Sequence, residues 1–122
     1  MTTVNLFRHA QDVLPFAAGQ VIFKTGDPGE VMYAVQEGEV HIMVGDKVID
    51  RVGPGGIFGE MALIDNSPRS ATAVAGTDCK LVEVNQKRFE FMVQQTPRFA
   101  LTVMKILAER LRERIIDLEK KS

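Results

Sequence analysis

The chain has 122 residues, 45% hydrophobic and 25% charged, which is the make-up of a folded domain and excludes a disordered, charge-rich segment. Its 15 basic and 16 acidic side chains leave a formal net charge of −1, so a broad basic footprint for nucleic acid is excluded. Cys79 is the single cysteine, ruling out an internal disulfide, and no apolar run reaches the roughly 18–20 residues of a membrane span. Met1-Thr2-Thr3-Val4-Asn5-Leu6 also lacks the basic-then-apolar layout of a signal peptide. The expectation is one cytoplasmic domain over 1–122, with no nucleic-acid or membrane partner.

In chain order, a short helical segment is expected first, around Val4–Ala10 within 1–11. From 12 to 84, short apolar runs are broken by Gly, Pro and Asp at roughly 8–12-residue spacing, the pattern of an antiparallel sandwich. The predicted strands are Asp12–Phe16, Gln20–Lys24, Val31–Gln36, Glu39–Val44, Lys47–Val52, Ser70–Ala75 and Cys79–Val84. Gly26-Asp27-Pro28-Gly29 supplies turn chemistry between the second and third of them, and Glu37-Gly38 and Gly45-Asp46 sit where tight hairpins belong. In the fourth, Val40, Ile42 and Val44 alternate with Glu39, His41 and Met43, so one face is buried and His41 points outward. From 85 the punctuation stops. Gln86–Gln95 places Phe89, Met92 and Val93 at helical spacing, and Thr96-Pro97 opens a last helix as N-cap and first position. That helix runs to Lys121 and is roughly 36 Å long. The fold class is mostly β with flanking helices (α+β): an antiparallel jelly-roll sandwich followed by two C-terminal helices, the last one long.

Chemistry concentrates in Gly53-Pro54-Gly55-Gly56-Ile57-Phe58-Gly59-Glu60-Met61-Ala62-Leu63-Ile64 and the following Asp65-Asn66-Ser67-Pro68-Arg69-Ser70-Ala71-Thr72. Gly59 permits close backbone approach, and Glu60–Ile64 is long enough for a turn or two of helix, whose first N–H groups attract anions. Arg69 returns on the next strand with a fork of donors suited to a phosphate, and Ser70 adds a hydroxyl. A carboxylate at Glu60 has no affinity for an anion but accepts hydrogen bonds from a sugar hydroxyl. Acid for ribose and guanidinium for phosphate together point to a nucleotide. The alternative is that Glu60 and Arg69 pair with each other at the surface, worth at most about 1 kcal/mol.

The segment Phe58-Gly59-Glu60-Met61-Ala62-Leu63 followed by Pro68-Arg69-Ser70-Ala71-Thr72 closely resembles the phosphate-binding cassette, here 58–72, of the cyclic-nucleotide-binding domain family. That family includes catabolite activators and the regulatory subunits of cyclic-AMP-dependent protein kinase. Gly19-Gln20-Val21-Ile22-Phe23-Lys24-Thr25-Gly26-Asp27 and Tyr33-Ala34-Val35-Gln36-Glu37-Gly38-Glu39-Val40 resemble the family's preceding strand, turn and hairpin. The resemblance implies that Glu60 accepts from the ribose 2′-OH, that Arg69 pairs with the cyclic phosphate and that Ser70 touches it by its hydroxyl. It also implies a cradle of backbone N–H groups from Gly59, Ala62 and Ala71, with Met61 beside them. Ile42, Ile49 and Val52 lie where the family sets apolar residues against the base, or else are plain sandwich core. Arg110 and Arg114 fall near the base on the closing helix, where Arg114-Ile115 replaces a polar pair used elsewhere in the family for adenine.

Ser70 is compatible with either base, and cyclic AMP is expected in preference to cyclic GMP. No cofactor is implied. The stripe Met104, Leu107, Leu111, Leu118 fits a heptad seam with Arg114 at one core position and Ile115 flanking, so a homodimer through the last helix is expected; the alternative is packing on its own sandwich. Mixed charges from Glu109 to Lys121 read as a solvated face. His9 and His41 lack companions at ligand spacing, and Cys79 reads as a small buried hydrophobe. No output module follows the last helix within the 122 residues, so the expected function is a non-enzymatic sensor. Its signal would pass to a separate effector as the C-terminal helix moves about a hinge at 85–96. The alternative is a ligand-independent dimerisation module with a vestigial site.

Overall fold

The computed structural model describes residues 2–121. Among them the strands are β1 (Leu14–Phe16), β2 (Val21–Phe23), β3 (Val31–Glu37), β4 (Val40–Val44), β5 (Lys47–Val52), β6 (Ile57–Phe58), β7 (Thr72–Ala75) and β8 (Cys79–Asn85). The helices are α1 (Met61–Asp65), α2 (Gln86–Gln95) and α3 (Arg98–Lys121). Two antiparallel four-stranded sheets, ordered β1-β8-β3-β6 and β2-β7-β4-β5, form the expected jelly-roll sandwich with the long helix after it.

The first sheet is buried on both faces. Val35, Phe58, Cys79 and Leu81 meet Val40, Val52, Ala73 and Ala75 of the second sheet between the layers. On its other face Met32, Ala34, Ile57, Val82 and Val84 pack against Phe99, Val103 and Ile106 of α3. Leu81 and Val82 are neighbours in sequence and both fully buried, because successive strand side chains point to opposite faces. The helices therefore share a core with the sheet that carries β6, and β6 leads directly into the Glu60 segment.

Three local expectations are corrected. Residues 6–9 form turns rather than a helix, with Arg8 N–H on Asn5 carbonyl at 3.2 Å and Ala10 N–H on Phe7 carbonyl at 3.1 Å. Tertiary partners take the groups a helix would use: the Gln36 amide donates to the Phe7 and Ala10 carbonyls at 3.0 and 2.9 Å. Val4 N–H donates to Gly55 carbonyl at 2.6 Å, and Val4 and Phe7 are buried. The strand β6 was absent from the predicted set, since its two residues are too few to show a period and Gly and Pro precede them. His41 is half-buried rather than plainly outward, its ring against Gly76 and its Nε2 at 2.8 Å from Glu39 Oε1. Cys79 is buried, as its hydrophobic reading required.

At the α2–α3 junction, Asn85 caps α2 by accepting from Arg88 N–H at 2.8 Å. Thr96 closes α2, donating to Met92 carbonyl at 2.8 Å, while its own carbonyl accepts from Phe99 N–H at 2.9 Å. Pro97 sits in the turn just before α3, where a missing N–H is harmless.

Candidate functional site

Arg69 arrives at the site on a backbone fixed by the turn after β2. Its N–H donates to Asp27 carbonyl at 2.8 Å and its carbonyl accepts from Gly26 N–H at 2.7 Å. The side chain is 7% exposed and is aimed by carbonyls and a ring rather than by a carboxylate. Nη1 donates to Gly59 carbonyl at 3.0 Å, Nη2 to Val31 carbonyl at 2.6 Å, and the guanidinium lies 4.1 Å from the centre of the Phe23 ring. Nε is buried without a hydrogen-bond partner. Burial lowers the guanidinium's pKa from its ordinary value, opposed by Tyr33, Asp27 and Glu60; the group still carries its charge at neutral pH. A buried cation without an anion beside it is the electrostatic signature of a site awaiting one.

Two glycines make room for this side chain. A Cβ on Gly29 would lie 2.9 Å from Arg69 Nε and 2.8 Å from Ala62 Cβ. A Cβ on Gly59, whose φ is +75°, would lie 2.7 Å from Arg69 Nη1. Gly29 had read only as turn punctuation; its contact is with a residue forty positions later, which no local pattern signals.

Glu60 stands at the N-cap of α1 but makes no capping bond. Its side chain is instead taken up by α3. Arg110 Nη1 donates to Glu60 Oε1 at 2.8 Å, Arg110 Nη2 donates to Ile57 carbonyl, and Arg110 Nε lies 3.6 Å from Asp50 Oδ2. Glu60 is 6% exposed and its Oε2 has no partner. The surface pairing of Glu60 with Arg69 is thereby replaced: the carboxylate's cation comes from α3, and Arg69 is in salt-bridge contact with no acid among the described residues. Arg114 Nη2 donates to Ile49 carbonyl and Nη1 to Asp117 Oδ2 at 3.3 Å.

These groups wall a cavity of about 350 Å³, within the range of small-molecule sites. Ile42, Ile49, Gly59, Glu60, Met61, Ala62, Arg69, Ser70, Ala71, Arg110 and Arg114 all line it. Val52 does not; it is buried in the core between the sheets, two residues further along the same face of β5 than the cavity-lining Asp50. Ala62 N–H, expected in the backbone cradle, is directed to Gly59 carbonyl at 3.3 Å. Phe23, Phe58 and Asp50 also line the cavity and were missed. Phe23 stood in a predicted strand and Phe58 opened the cassette with no role of its own, and Asp50 is a lone charge on a strand with nothing nearby in sequence to mark it. An apolar wall from Ile42 and Ile49 faces an acid and a guanidinium, which suits a flat base joined to a sugar and an anion. Among the described residues no cluster of metal-ligating side chains occurs, and no helix is long and apolar enough to cross a membrane.

Comparison with known proteins agrees with this geometry. The sequence profile of the cyclic nucleotide-binding domain matches residues 13–96. The chain is 45% identical over 71 residues to a cAMP-dependent protein kinase regulatory subunit from Eremothecium gossypii, covering 58% of this chain and 16% of that protein. It is 34% identical over 109 residues to the cyclic AMP receptor protein of Thermus thermophilus, covering 85% of this chain and 50% of that one. The crystal structure of the Thermus thermophilus catabolite activator protein superposes with a TM-score of 0.76 at 32% identity, covering 88% of this chain and 54% of that one. The chain thus spans half or less of the length of these curated relatives.

Proposed function

The chain belongs to the family of cyclic nucleotide-binding domains, and on that premise we propose that it is a sensor that binds one cyclic nucleotide in the cavity beside α1. Arg69 and the Ser70 hydroxyl hold the cyclic phosphate, Glu60 Oε2 accepts from the ribose 2′-OH, and Ile42 and Ile49 flank the base. The observation that carries this reading is the pair of buried polar atoms without partners, Glu60 Oε2 and Arg69 Nε, on residues that line one cavity. Buried groups of this kind are rare unless a ligand completes them. The two relatives described above are named for cyclic AMP, and this supports the choice of adenine over guanine.

The signal leaves through α3. Arg110 and Arg114 tie that helix to the cassette and to β5, so a ligand that favours one helix position shifts its population by its differential affinity alone. The proposed output is contact with a separate effector, with a homodimer formed through α3. Binding rather than turnover is the proposed activity, in keeping with relatives named as a regulatory subunit and a receptor. The second reading, a dimerisation module with a vestigial site, draws on the exposed apolar side chains Leu101, Met104, Leu111 and Leu118 of α3.

Calorimetric titration of the nucleotide-stripped protein with cyclic AMP and cyclic GMP tests the proposal. The expected result is binding at micromolar affinity or better, about 8 kcal/mol, with cyclic AMP tighter. No heat with either ligand at two temperatures would put the dimerisation module in first place.

A further inference from the structure

Arg69 is buried with two carbonyls and no carboxylate in contact among the described residues, and what covers its guanidinium is a ring. The guanidinium carbon stands 4.1 Å from the centre of Phe23. Phe23 in turn meets two further rings, Phe58 at 5.9 Å and Tyr33 at 6.2 Å between centroids. Tyr33 and Phe58 are direct partners in the β3–β6 pairing and stack 5.2 Å apart with 17° between their planes. The cluster thus joins β2 of one sheet to β3 and β6 of the other, and Phe58, fully buried, anchors it. Chain order gives the same cluster a second hold on the arginine. Gly59, the residue after Phe58, supplies the carbonyl that accepts from Arg69 Nη1 at 3.0 Å. Gly59 also keeps clear of both groups, since a Cβ there would lie 2.7 Å from Nη1 and 3.4 Å from the Phe23 ring.

A π face and a carboxylate stabilise a buried cation in different ways. A carboxylate cancels the charge, and an incoming anion must then displace that partner or share it. The negative face of a ring attracts the cation without neutralising it, so the charge stays available to an anion. Phe23 lines the same cavity as Arg69 but stands on β2, far from the cassette in sequence. We infer that Phe23 is a positioning residue for anion capture: it holds the Arg69 guanidinium flat and charged at the cavity wall before a cyclic phosphate arrives. This rests on the reading of the cavity as a cyclic-nucleotide site. A leucine at position 23 would fill much of the same volume but present no quadrupole to the cation. Arg69 would then keep its two carbonyl contacts while its face was left against a plain hydrocarbon surface, where a charge is disfavoured.

The test is a double-mutant cycle on calorimetric dissociation constants for cyclic AMP, using the full chain with Phe23→Leu, Arg69→Ala and the two combined. Phe23→Leu should weaken binding by roughly fivefold or more, the scale of a desolvated cation–π contact. Phe23→Tyr, which keeps the ring, should restore most of the affinity. With Arg69 already replaced, Phe23→Leu should change the affinity by less than about twofold, because Phe23 acts through the arginine. An equal loss in both backgrounds would mean that Phe23 serves the ligand or the fold directly, and would overturn the inference. A second readout needs no nucleotide: hydrogen exchange of the Arg69 Nε–H, which is buried without an acceptor. In ligand-free Phe23→Leu it should quicken by about tenfold or more while the amides of β3 and β8 keep their protection, a selectivity that general loosening would not give. Unchanged Nε–H exchange overturns the inference, and this measurement decides alone where Arg69→Ala binds too weakly for the cycle. Phe23→Met takes the place of Phe23→Leu if the latter does not fold. Wild type that binds neither cyclic AMP nor cyclic GMP removes the functional reading and the inference with it; wild type that binds while the cycle shows no coupling removes the inference alone.

Discussion

Arg69 shows how a single side chain can be prepared for a ligand. Its Nη atoms are spent on carbonyls, its flat face lies on Phe23, and the missing Cβ atoms of Gly29 and Gly59 leave the space it occupies. Preorganisation of this kind removes the ordering penalty from the binding step. Arg69→Ala should therefore weaken cyclic AMP binding by at least about tenfold in calorimetry, one lost charge-assisted contact. Arg69→Lys should recover little of it, because a point charge on a flexible stem cannot reproduce two carbonyl contacts and ring stacking at once. An affinity unchanged in Arg69→Ala would exclude Arg69 from the phosphate. The residue types and spacing of this pair were legible in the sequence. Their supports were not, because Gly29, Val31 and Phe23 meet Arg69 only after β2 and β3 have been brought beside the cassette.

The helix α3 has two faces with different duties. Phe99, Val103, Ile106 and Leu107 pack on the first sheet; beyond Leu107 none of its side chains joins either core cluster. On the other side Leu101, Ala108 and Ile115 recur seven residues apart, as do Met104, Leu111 and Leu118. That is a continuous a/d seam. The seam differs from the one expected: Leu107 turns inward to the core and the Arg114 side chain reaches the Ile49 carbonyl, while Leu101 and Ile115 take their places. Periodicity alone could not separate the faces, since residues three and four apart fit both. Leu111 is 62% exposed and Leu118 68% exposed, so little of the folded chain relies on them. Light scattering should find a dimer for the wild type and a monomer for Leu111→Glu, with the denaturant stability of the monomer unit altered by no more than about 0.5 kcal/mol. A monomeric wild type would remove the dimer.

At the scale of the molecule, the N-terminal segment closes the structure around α3. Thr2 donates to the Glu109 carboxylate through both its N–H and its hydroxyl, and these bonds hold Glu109 below the ordinary carboxyl pKa. Further along, Asp12 pairs with Arg88 of α2 at 2.6 Å, and the hydrogen bond to Arg88 is the main cause of the Asp12 carboxyl's lowered pKa. The sign follows from linkage: a depressed folded-state pKa adds stability above the unfolded value and loses it as pH falls through the folded one. The pair is exposed and screened, so its share is modest. Denaturation of wild type and Asp12→Asn should differ at about pH 7 and converge towards about pH 3; a difference independent of pH would mean that Asp12 acts by something other than its charge.

The fold class, the order of most elements and the acid and guanidinium that line the cavity were all written locally: in alternating strands, in turn residues and in a cassette whose parts lie within 58–72. Such features survive in one dimension because neighbours in the chain are neighbours in space. The partner of Glu60 is of another kind. Arg110 lies fifty residues away in the chain, on a helix whose periodic pattern fits equally well with either face inward, and Asp50 joins them from a third element. Which charges meet at the cavity wall depends on where α3 rests against the first sheet, and only the packed core of Phe99, Val103 and Ile106 fixes that position.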